Sequence, residues 1–172
     1  MTQSLESEMV AVGSADIWTT LTTLFGELVD GVPVGEAYML NRKDIGLLQS
    51  LDKLSAPAAS TRTATGSTVA AHAEHLRYGL SLMNRWSAGE NPFSDADWTV
   101  AWRRTRVTAA EWKSLREQLA EEAHRWLDTL GTPRHVDQNE LNAVVGSVAH
   151  LAYHLGAIRQ IDRTAGGPSA TD

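Results

Sequence analysis

Apolar residues recur at intervals of three and four positions over long stretches of this chain. The clearest stretch follows Thr108-Ala109-Ala110-Glu111, a capping-box pattern that predicts the start of a helix. Its apolar stripe consists of Trp112, Leu115, Leu119, Trp126 and Leu130. A period of 3.6 residues suits one face of an α-helix, whereas side chains on a strand alternate with a period of two. The pattern therefore restricts this region to a helix.

Three further segments share the helical pattern. The first begins at Ser14, whose side chain suits an N-cap, and ends at Gly31. The second runs from near Ser67 to about Trp86, and the last runs from residue 137 to about Arg163. No segment shows convincing strand alternation. The sequence therefore predicts an all-α protein, a four-helix bundle with long connections.

The connections between the long segments are rich in turn-forming residues. Residues 44–51 predict a short helix, 55–67 (SAPAASTRTATGS) predict a loop, and 89–107 (GENPFSDADWTVAWRRTRV) predict a long ordered connection that could cover a site. A length of 172 residues suits one domain. We therefore expect residues 1–172 to form a single domain, with a disordered tail from about 164 to 172.

Composition excludes several classes of site and partner. Because the chain has no cysteine, a transition metal must be held by nitrogen or oxygen ligands. A formal net charge of −6 argues against a general nucleic-acid binder, and Arg103, Arg104 and Arg106 predict a solvated surface patch with an anion contact as the alternative. Glu6 and Glu8 lie near the start with no basic segment leading into an apolar run, so we expect a cytoplasmic protein.

The last predicted helix is apolar on nearly all sides. Residues 141–158 carry no formal charge and approach the length of a membrane span, yet they include Asn142, His150, His154 and two glycines. We therefore predict a buried helix and no membrane partner. Either the bundle encloses this helix or a second subunit covers its outer side, and we predict a homodimer.

Histidines stand at positions that converge when these helices pack together. His150 and His154 are four residues apart, so they share one helix face with their Cβ atoms about 5–6 Å apart. On the second long segment, His72 and His75 share a face with Gly79, whose missing side chain leaves room. These positions predict a three-histidine metal site made of His150, His154 and either His72 or His75.

Other uses of these residues fail on spacing. No Glu follows His150, so the two-histidine zinc protease motif is absent. Di-iron bundles need two Glu-x-x-His pairs, and only Glu121-x-x-His124 fits that pattern. We expect His124 and His135 to be exposed surface residues. The tryptophans at 98, 102, 112 and 126 are expected to belong to the core.

At these histidines the sequence resembles the DinB/YfiT-like superfamily of small helical-bundle proteins. The matching motifs are Ser67-Thr68-Val69 leading into His75-Leu76, and His150-Leu-Ala-Tyr-His154-Leu-Gly156 with the residues that follow. The resemblance spans most of the chain and implies that His75, His150 and His154 bind one divalent metal ion, such as nickel, zinc or manganese. It makes His72 a neighbour of the ligands.

The resemblance also implies a range of activities. Members of the superfamily are often described as metal-dependent hydrolases, and some relatives are transferases or isomerases that use a low-molecular-weight thiol. The implied partners are therefore a small-molecule substrate, a divalent metal ion and, for the transferases, such a thiol. Because one fold serves many reactions, the resemblance says more about the site than about the chemistry.

Three neutral imidazoles leave a coordination position open, as in catalytic metal sites. Activated water at that position gives hydrolysis and an activated thiol gives thiol transfer, and no carboxylate is spaced to act as the general base. Tyr78, Asp97, Tyr153 and Arg159 are candidate substrate contacts, although a structural role is expected more often for each. The alternative function is a non-catalytic dimeric bundle with a structural or vestigial metal site.

Overall fold

The structure is a computed structural model that describes residues 13–33, 35–64 and 66–167. Glu6 and Glu8, on which the prediction of a cytoplasmic protein rests, lie outside these ranges. Within them the chain is mostly helical and has no β-strand, which confirms the all-α prediction. The helices are α1 (Ser14–Asp30), α2 (Leu47–Asp52), α3 (Ala56–Ala59), α4 (Val69–Ser87), α5 (Trp98–Ala101), α6 (Ala109–Leu130) and α7 (Gln138–Ile161). Short 3₁₀ turns occupy Pro92–Ser94 and Arg163–Ala165.

The two C-terminal long helices start with reciprocal hydrogen bonds between side chains and backbone. At α6 the Thr108 hydroxyl accepts from the Glu111 N–H, and the Glu111 carboxylate accepts from the Thr108 N–H, as the capping-box pattern predicts. Asp137 and Glu140 make the same pair of bonds at α7. These caps satisfy backbone donors that have no partner within the helix, and so they fix where each helix begins.

The four long helices share one apolar core. α4 packs against α6 and α7, and α1 packs against the same two helices. The indole N–H of Trp126 on α6 donates to the Ser147 hydroxyl on α7 at 2.9 Å, which satisfies a polar group inside this core. Full burial of a large apolar side chain contributes about 1.5–3 kcal/mol to the free energy of unfolding, so the core dominates the stabilisation of the fold. Its largest fully buried members include Phe25, Leu28, Leu76, Leu115, Leu119, Leu151, Leu155 and Ile158.

Short helices also lie within the connections. The short helix predicted over 44–51 is α2. α3 lies in the segment predicted as a loop, where Ser55 caps it and Pro57 occupies its first turn. α5 lies in the predicted long connection, where the Asp97 carboxylate accepts from the Thr99 N–H. A helix of four residues is too short to show a 3.6-residue stripe, so its cap is the only local signal.

Two buried charged side chains hold the connection between α1 and α2. Glu27 of α1 is 2% exposed and accepts hydrogen bonds from the backbone N–H groups of residues 38–40 at 2.6–3.2 Å. Arg159 of α7 is 5% exposed; it donates to the Ile45 carbonyl at 2.6 Å and to Asp44. We call Glu27 and Arg159 the loop anchors. Their partners belong to the protein itself, so both groups are structural.

α7 is only partly enclosed by the rest of the chain. Within the described residues it is the one helix long and apolar enough to cross a membrane by length and composition, and 33% of its most apolar 18-residue window is buried. This is weak evidence for a span, because a core helix of a soluble protein passes the same test. Val145 and Tyr153 are exposed on α7. The chain therefore encloses α7 on one side, and cover of its outer side by a second subunit stays a prediction.

The chain turns back towards the core after α7. Residues 164–167 of the predicted tail are described, and Ala165, within the last 3₁₀ turn, is fully buried. Residues 168–172 lie outside the described ranges.

Candidate metal centre

α4 and α7 place four histidines side by side. His72 Nδ1 lies 2.8 Å from His154 Nδ1, and His75 Nε2 lies 3.1 Å from His150 Nε2. The later residue of α4 faces the earlier residue of α7, so the two helices run antiparallel at this point. We call these four residues the histidine cluster.

Local sequence determines which side of each helix carries its histidines. Thr68 caps α4, so the helix begins at Val69, two residues after the predicted start near Ser67. His72 and His75, three residues apart, then lie on one face. The α7 pair is four residues apart and shares a face in the same way. Each helix therefore presents two imidazoles to the other.

Three of the imidazoles bring one ring nitrogen each to a common point. The ligand atoms of His75, His150 and His154 all lie within 4.8 Å of one another, and His154 Nε2 is 2.9 Å from His150 Nε2. Tetrahedral zinc with Zn–N distances of about 2.0–2.1 Å separates its nitrogen ligands by about 3.3 Å. Two of the observed separations, 2.9 and 3.1 Å, are close to this value. These three histidines, the predicted ligands, could therefore hold a metal ion.

His72 contacts His154 on the side of its ring that faces away from the other two ligand atoms. Its Nδ1 faces His154 Nδ1, whereas His154 Nε2 faces His150. When His154 Nδ1–H donates to His72, its Nε2 carries a lone pair that points towards the other two ligand atoms. A hydrogen bond on the far nitrogen is the usual way in which a protein orients a histidine ligand. His72 thus contacts a potential ligand and lies outside the ligand group itself.

Three members of the histidine cluster are buried, His150 is half-buried, and all four are neutral near pH 7. Burial, and then the neighbouring His150 and His72, lower the pKa of His154 to about 3. The same causes lower the pKa of His75 to about 4. Burial also lowers the pKa values of His72 and His150. Neutral imidazoles are the form that binds metal, so the cluster is ready to bind without losing protons.

Part of the hydrogen-bonding capacity of the cluster is unused. Among the described polar atoms, His75 Nδ1 is buried and has no hydrogen-bond partner. The group of potential ligands contains histidines alone, with no Asp or Glu. Glu74, on the same helix, is engaged by Arg77 and Arg104. The cluster therefore offers nitrogen ligands and includes no carboxylate to act as a general base.

Two tryptophans cover the cluster on one side. The Trp102 ring stacks on His75 at a centroid distance of 4.6 Å and meets His72 edge-on, and Trp98 lies 5.6 Å from His75. Trp98 and Trp102 are 40% and 37% exposed, so the prediction that they belong to the core is wrong. Their i, i+4 spacing after the Asp97 cap was the signal available in the sequence, because it places both rings on one side of α5.

The other two tryptophans behave as predicted. Trp112 and Trp126 are buried in the core. The Trp112 indole N–H donates to the Leu54 carbonyl at 2.8 Å. The difference arises because α6 is packed along its whole length, whereas α5 lies at the edge of the structure. Chain position alone did not distinguish the two pairs.

A cavity of about 450 Å³ opens directly beside the cluster. His75 and His150 line one end of it, between α4 and α7. Gly79 also lines it, although a Cβ built on Gly79 would lie 3.4 Å from the Trp98 ring. The room that Gly79 leaves is thus occupied by Trp98, and the open space continues along α7. A volume of this size is typical of small-molecule sites.

The predicted substrate contacts have structural partners in most cases. Arg159 is a loop anchor, and the Tyr78 hydroxyl accepts from the Asp97 N–H while Asp97 caps α5. Tyr153 is 70% exposed, with its ring 5.0 Å from that of His154. Of these four candidates, Tyr153 is the one whose ring contacts the predicted ligands.

The remaining polar predictions fall outside the cluster. His124 and His135 are exposed, as predicted, and His124 contacts Asp30. In the basic run, Arg104 pairs with Glu74 and Arg103 donates to Thr99. Both arginines are exposed, as predicted, although the Glu74 partner of Arg104 is buried.

The chain matches no protein-family model, and comparisons with curated proteins and with solved structures find no significant match.

Proposed function

We propose that His75, His150 and His154 bind one divalent metal ion and that the chain is a metal-dependent enzyme. The observation that carries the proposal is the convergence of three neutral imidazoles within 4.8 Å beside an open cavity. Structural metal sites usually have four protein ligands, whereas three protein ligands leave one coordination position open. Here the ligand group adjoins space that a small molecule can enter.

In this proposal the metal ion and the residues of the chain have different roles. A bound divalent ion supplies Lewis-acid activation of a water molecule or of a small thiol. The chain holds the ligand imidazoles in their neutral form, and His72 orients His154 through its Nδ1 contact. Trp98 and Trp102 exclude solvent from one side of the cluster. Hydrolysis and thiol transfer or isomerisation are the reactions that this arrangement supports.

We also propose that the four long helices form a four-helix bundle of the DinB/YfiT-like type. The order of the helices and the positions of the three ligands support this assignment, which rests on short motifs. On this proposal the ion is nickel, zinc or manganese. The substrate is a small molecule, and a low-molecular-weight thiol is a candidate co-substrate.

Metal analysis tests the binding half of the proposal. We expect one equivalent of metal per chain after incubation with nickel, zinc or manganese and extensive dialysis. His124→Ala is the matched control, because His124 is exposed and lies outside the cluster. Absence of retained metal with all three ions would contradict the proposal. Screening the loaded protein against ester, amide and thiol substrates then tests for activity.

A non-catalytic dimer is the second candidate function, and the exposed side of α7 favours it. Val145 and Tyr153 are 47% and 70% exposed on that helix. In this alternative a second copy of the chain covers α7 and the metal site is structural or vestigial. Light scattering that shows only monomer at micromolar concentration would exclude it. A dimer that retains metal but turns over none of the screened substrates would favour it over the enzyme.

A further inference from the structure

The cavity beside the cluster continues away from the histidines along two antiparallel helices. On α4 its lining extends from His75 to Met83, and on α7 it extends from His150 back to Ala143. The α4 stretch of nine residues and the α7 stretch of eight residues correspond to about 12 Å and about 10 Å at 1.5 Å per step. The cavity is therefore an elongated space with the ligand imidazoles at one end.

The lining of this space is apolar. Apart from the two histidines it includes no residue with a charged side chain, and its far part is formed by Leu80, Met83 and Phe93. The Ser147 hydroxyl at the wall is already used, because it accepts from Trp126 and donates to the Val144 carbonyl. A charged or strongly polar ligand group would lose its hydration here without finding a partner.

Small residues keep the space open on the α7 side. Ala143 and Gly146 line it, and a Cβ built on Gly146 would meet no atom within 4 Å. Glycine in the middle of a helix costs stability relative to alanine. Gly146 is exposed and no close contact requires glycine at this position, so a larger side chain there would extend into the open space.

We propose that this cavity binds the hydrocarbon part of the substrate, a straight alkyl or acyl chain, with the polar reacting group at His75 and His150. An extended chain built of C–C bonds of about 1.5 Å advances about 1.25 Å per bond, so about eight carbon atoms fit the length. The inference rests on the proposed function for the placement of the substrate's polar group at the histidine end of the cavity. The hydrocarbon preference rests on the lining alone.

Straight-chain hydroxamic acids of two to eight carbons test the proposal, because their head group binds metal ions and their tails differ only in length. Affinity for the nickel-loaded protein is measured by titration calorimetry. We expect it to rise about threefold to fourfold per added methylene until the cavity is filled. The matching primary alcohols, titrated against metal-free protein, measure tail binding without a metal-binding head.

Gly146→Leu fills the cavity and should abolish the dependence on chain length while acetohydroxamate still binds. Gly156→Leu is the matched control, because Gly156 is exposed on the same helix and its built Cβ also meets nothing within 4 Å. It should keep the wild-type dependence. Ala143→Leu fills the same space from another position and serves as an independent test. Thermal unfolding verifies that each variant is folded.

The outcomes separate this inference from the proposed function. A flat chain-length series in the wild type, or an equal slope in the wild type and both cavity-filling variants, overturns the hydrocarbon site. Alcohols that bind with the expected slope, together with hydroxamates that gain nothing from added nickel, support the hydrocarbon site and contradict the metal site. Binding of acetohydroxamate with no gain in affinity from longer tails supports the metal site and contradicts the hydrocarbon site.

Discussion

The histidine cluster and the loop anchors are both sets of largely buried polar side chains, but their partners differ. Glu27 and Arg159 face backbone groups of the connection between α1 and α2, which are fixed parts of the protein. The four histidines face one another, and one nitrogen of His75 has no partner among the described residues. The loop anchors are held by other parts of the fold, although Arg159 Nε is also buried without a hydrogen-bond partner among the described residues, whereas the ring nitrogens of the four histidines pair only with one another.

This difference separates structural from functional burial. A buried charged group that is held by hydrogen bonds to other parts of the fold is costly to remove, because its partners would be left unsatisfied. Neutral imidazoles that share protons with one another can release those contacts to a metal ion without losing a partner elsewhere. We therefore expect substitutions in the loop anchors to change stability, and substitutions in the cluster to change metal binding.

The largest expected effect is loss of metal from variants of the ligand group. His75→Ala, His150→Ala and His154→Ala each remove one of three nitrogen ligands, so metal affinity should fall at least about 100-fold. Metal content after identical dialysis measures this effect. If all three variants stay loaded, the metal binds elsewhere. The distinction between the cluster and the loop anchors would then fail.

Glu27→Gln should have the opposite profile. The amide retains one acceptor oxygen but loses its charge, while the three backbone N–H groups of residues 38–40 still need partners. We expect the free energy of unfolding to fall by about 2–4 kcal/mol, measured by urea denaturation of the metal-free protein. Metal content of the folded variant should match that of the wild type. A loss of metal at unchanged stability would reverse our assignment.

His72→Ala distinguishes a ligand from an orienting residue within the cluster. Because His72 contacts the Nδ1 of His154 and lies outside the ligand group, its loss should weaken metal binding by about 10–100-fold without emptying the site. Competition with a chelator of known affinity measures the change. An empty site in His72→Ala, together with a loaded site in His75→Ala, would show that the two residues exchange roles.

The pH dependence of the metal-free protein tests the buried state of the imidazoles. The folded pKa values of His75 and His154, about 4 and about 3, lie below the ordinary value of 6.5. As the pH falls from about 6.5 to 4, the unfolded chain binds protons that the folded chain does not bind, so the free energy of unfolding falls. Each such proton contributes a slope of about 1.4 kcal/mol per pH unit. In His75→Leu the slope should be shallower by the contribution of one proton, about 1.4 kcal/mol per pH unit. Parallel curves for the two proteins would contradict this account.

The smallest effect is expected at the exposed histidine of α6. His124 and Asp30 are each about half exposed, so their ion pair is screened by solvent. His124→Ala should change the free energy of unfolding by less than about 0.5 kcal/mol and should leave metal content unchanged. A larger stability loss in urea denaturation would mean that the kind of partner, and not burial, determines how much a histidine of this chain contributes to stability.

Much of the helical structure was predictable because it depends on nearby residues. The capping pairs at Thr108 and Asp137 involve residues three positions apart, and both are present. The apolar stripes identified the long helices to within a few residues. The short helix α5 was missed, because four residues show no periodicity and its cap at Asp97 resembles an ordinary turn.

The sequence by itself determined that His150 and His154 share one helix face and that His72 and His75 share another, because helical spacing fixes side-chain directions within one helix. Only the tertiary structure decided that His75 faces His150 and that His72 faces the back of His154. It also decided that Trp98 and Trp102 cover the cluster and that Glu27 and Arg159 are buried against backbone. The physical reason is that contacts between helices depend on their register and separation, which are set by packing of the whole core and which the periodicity of a single helix does not contain.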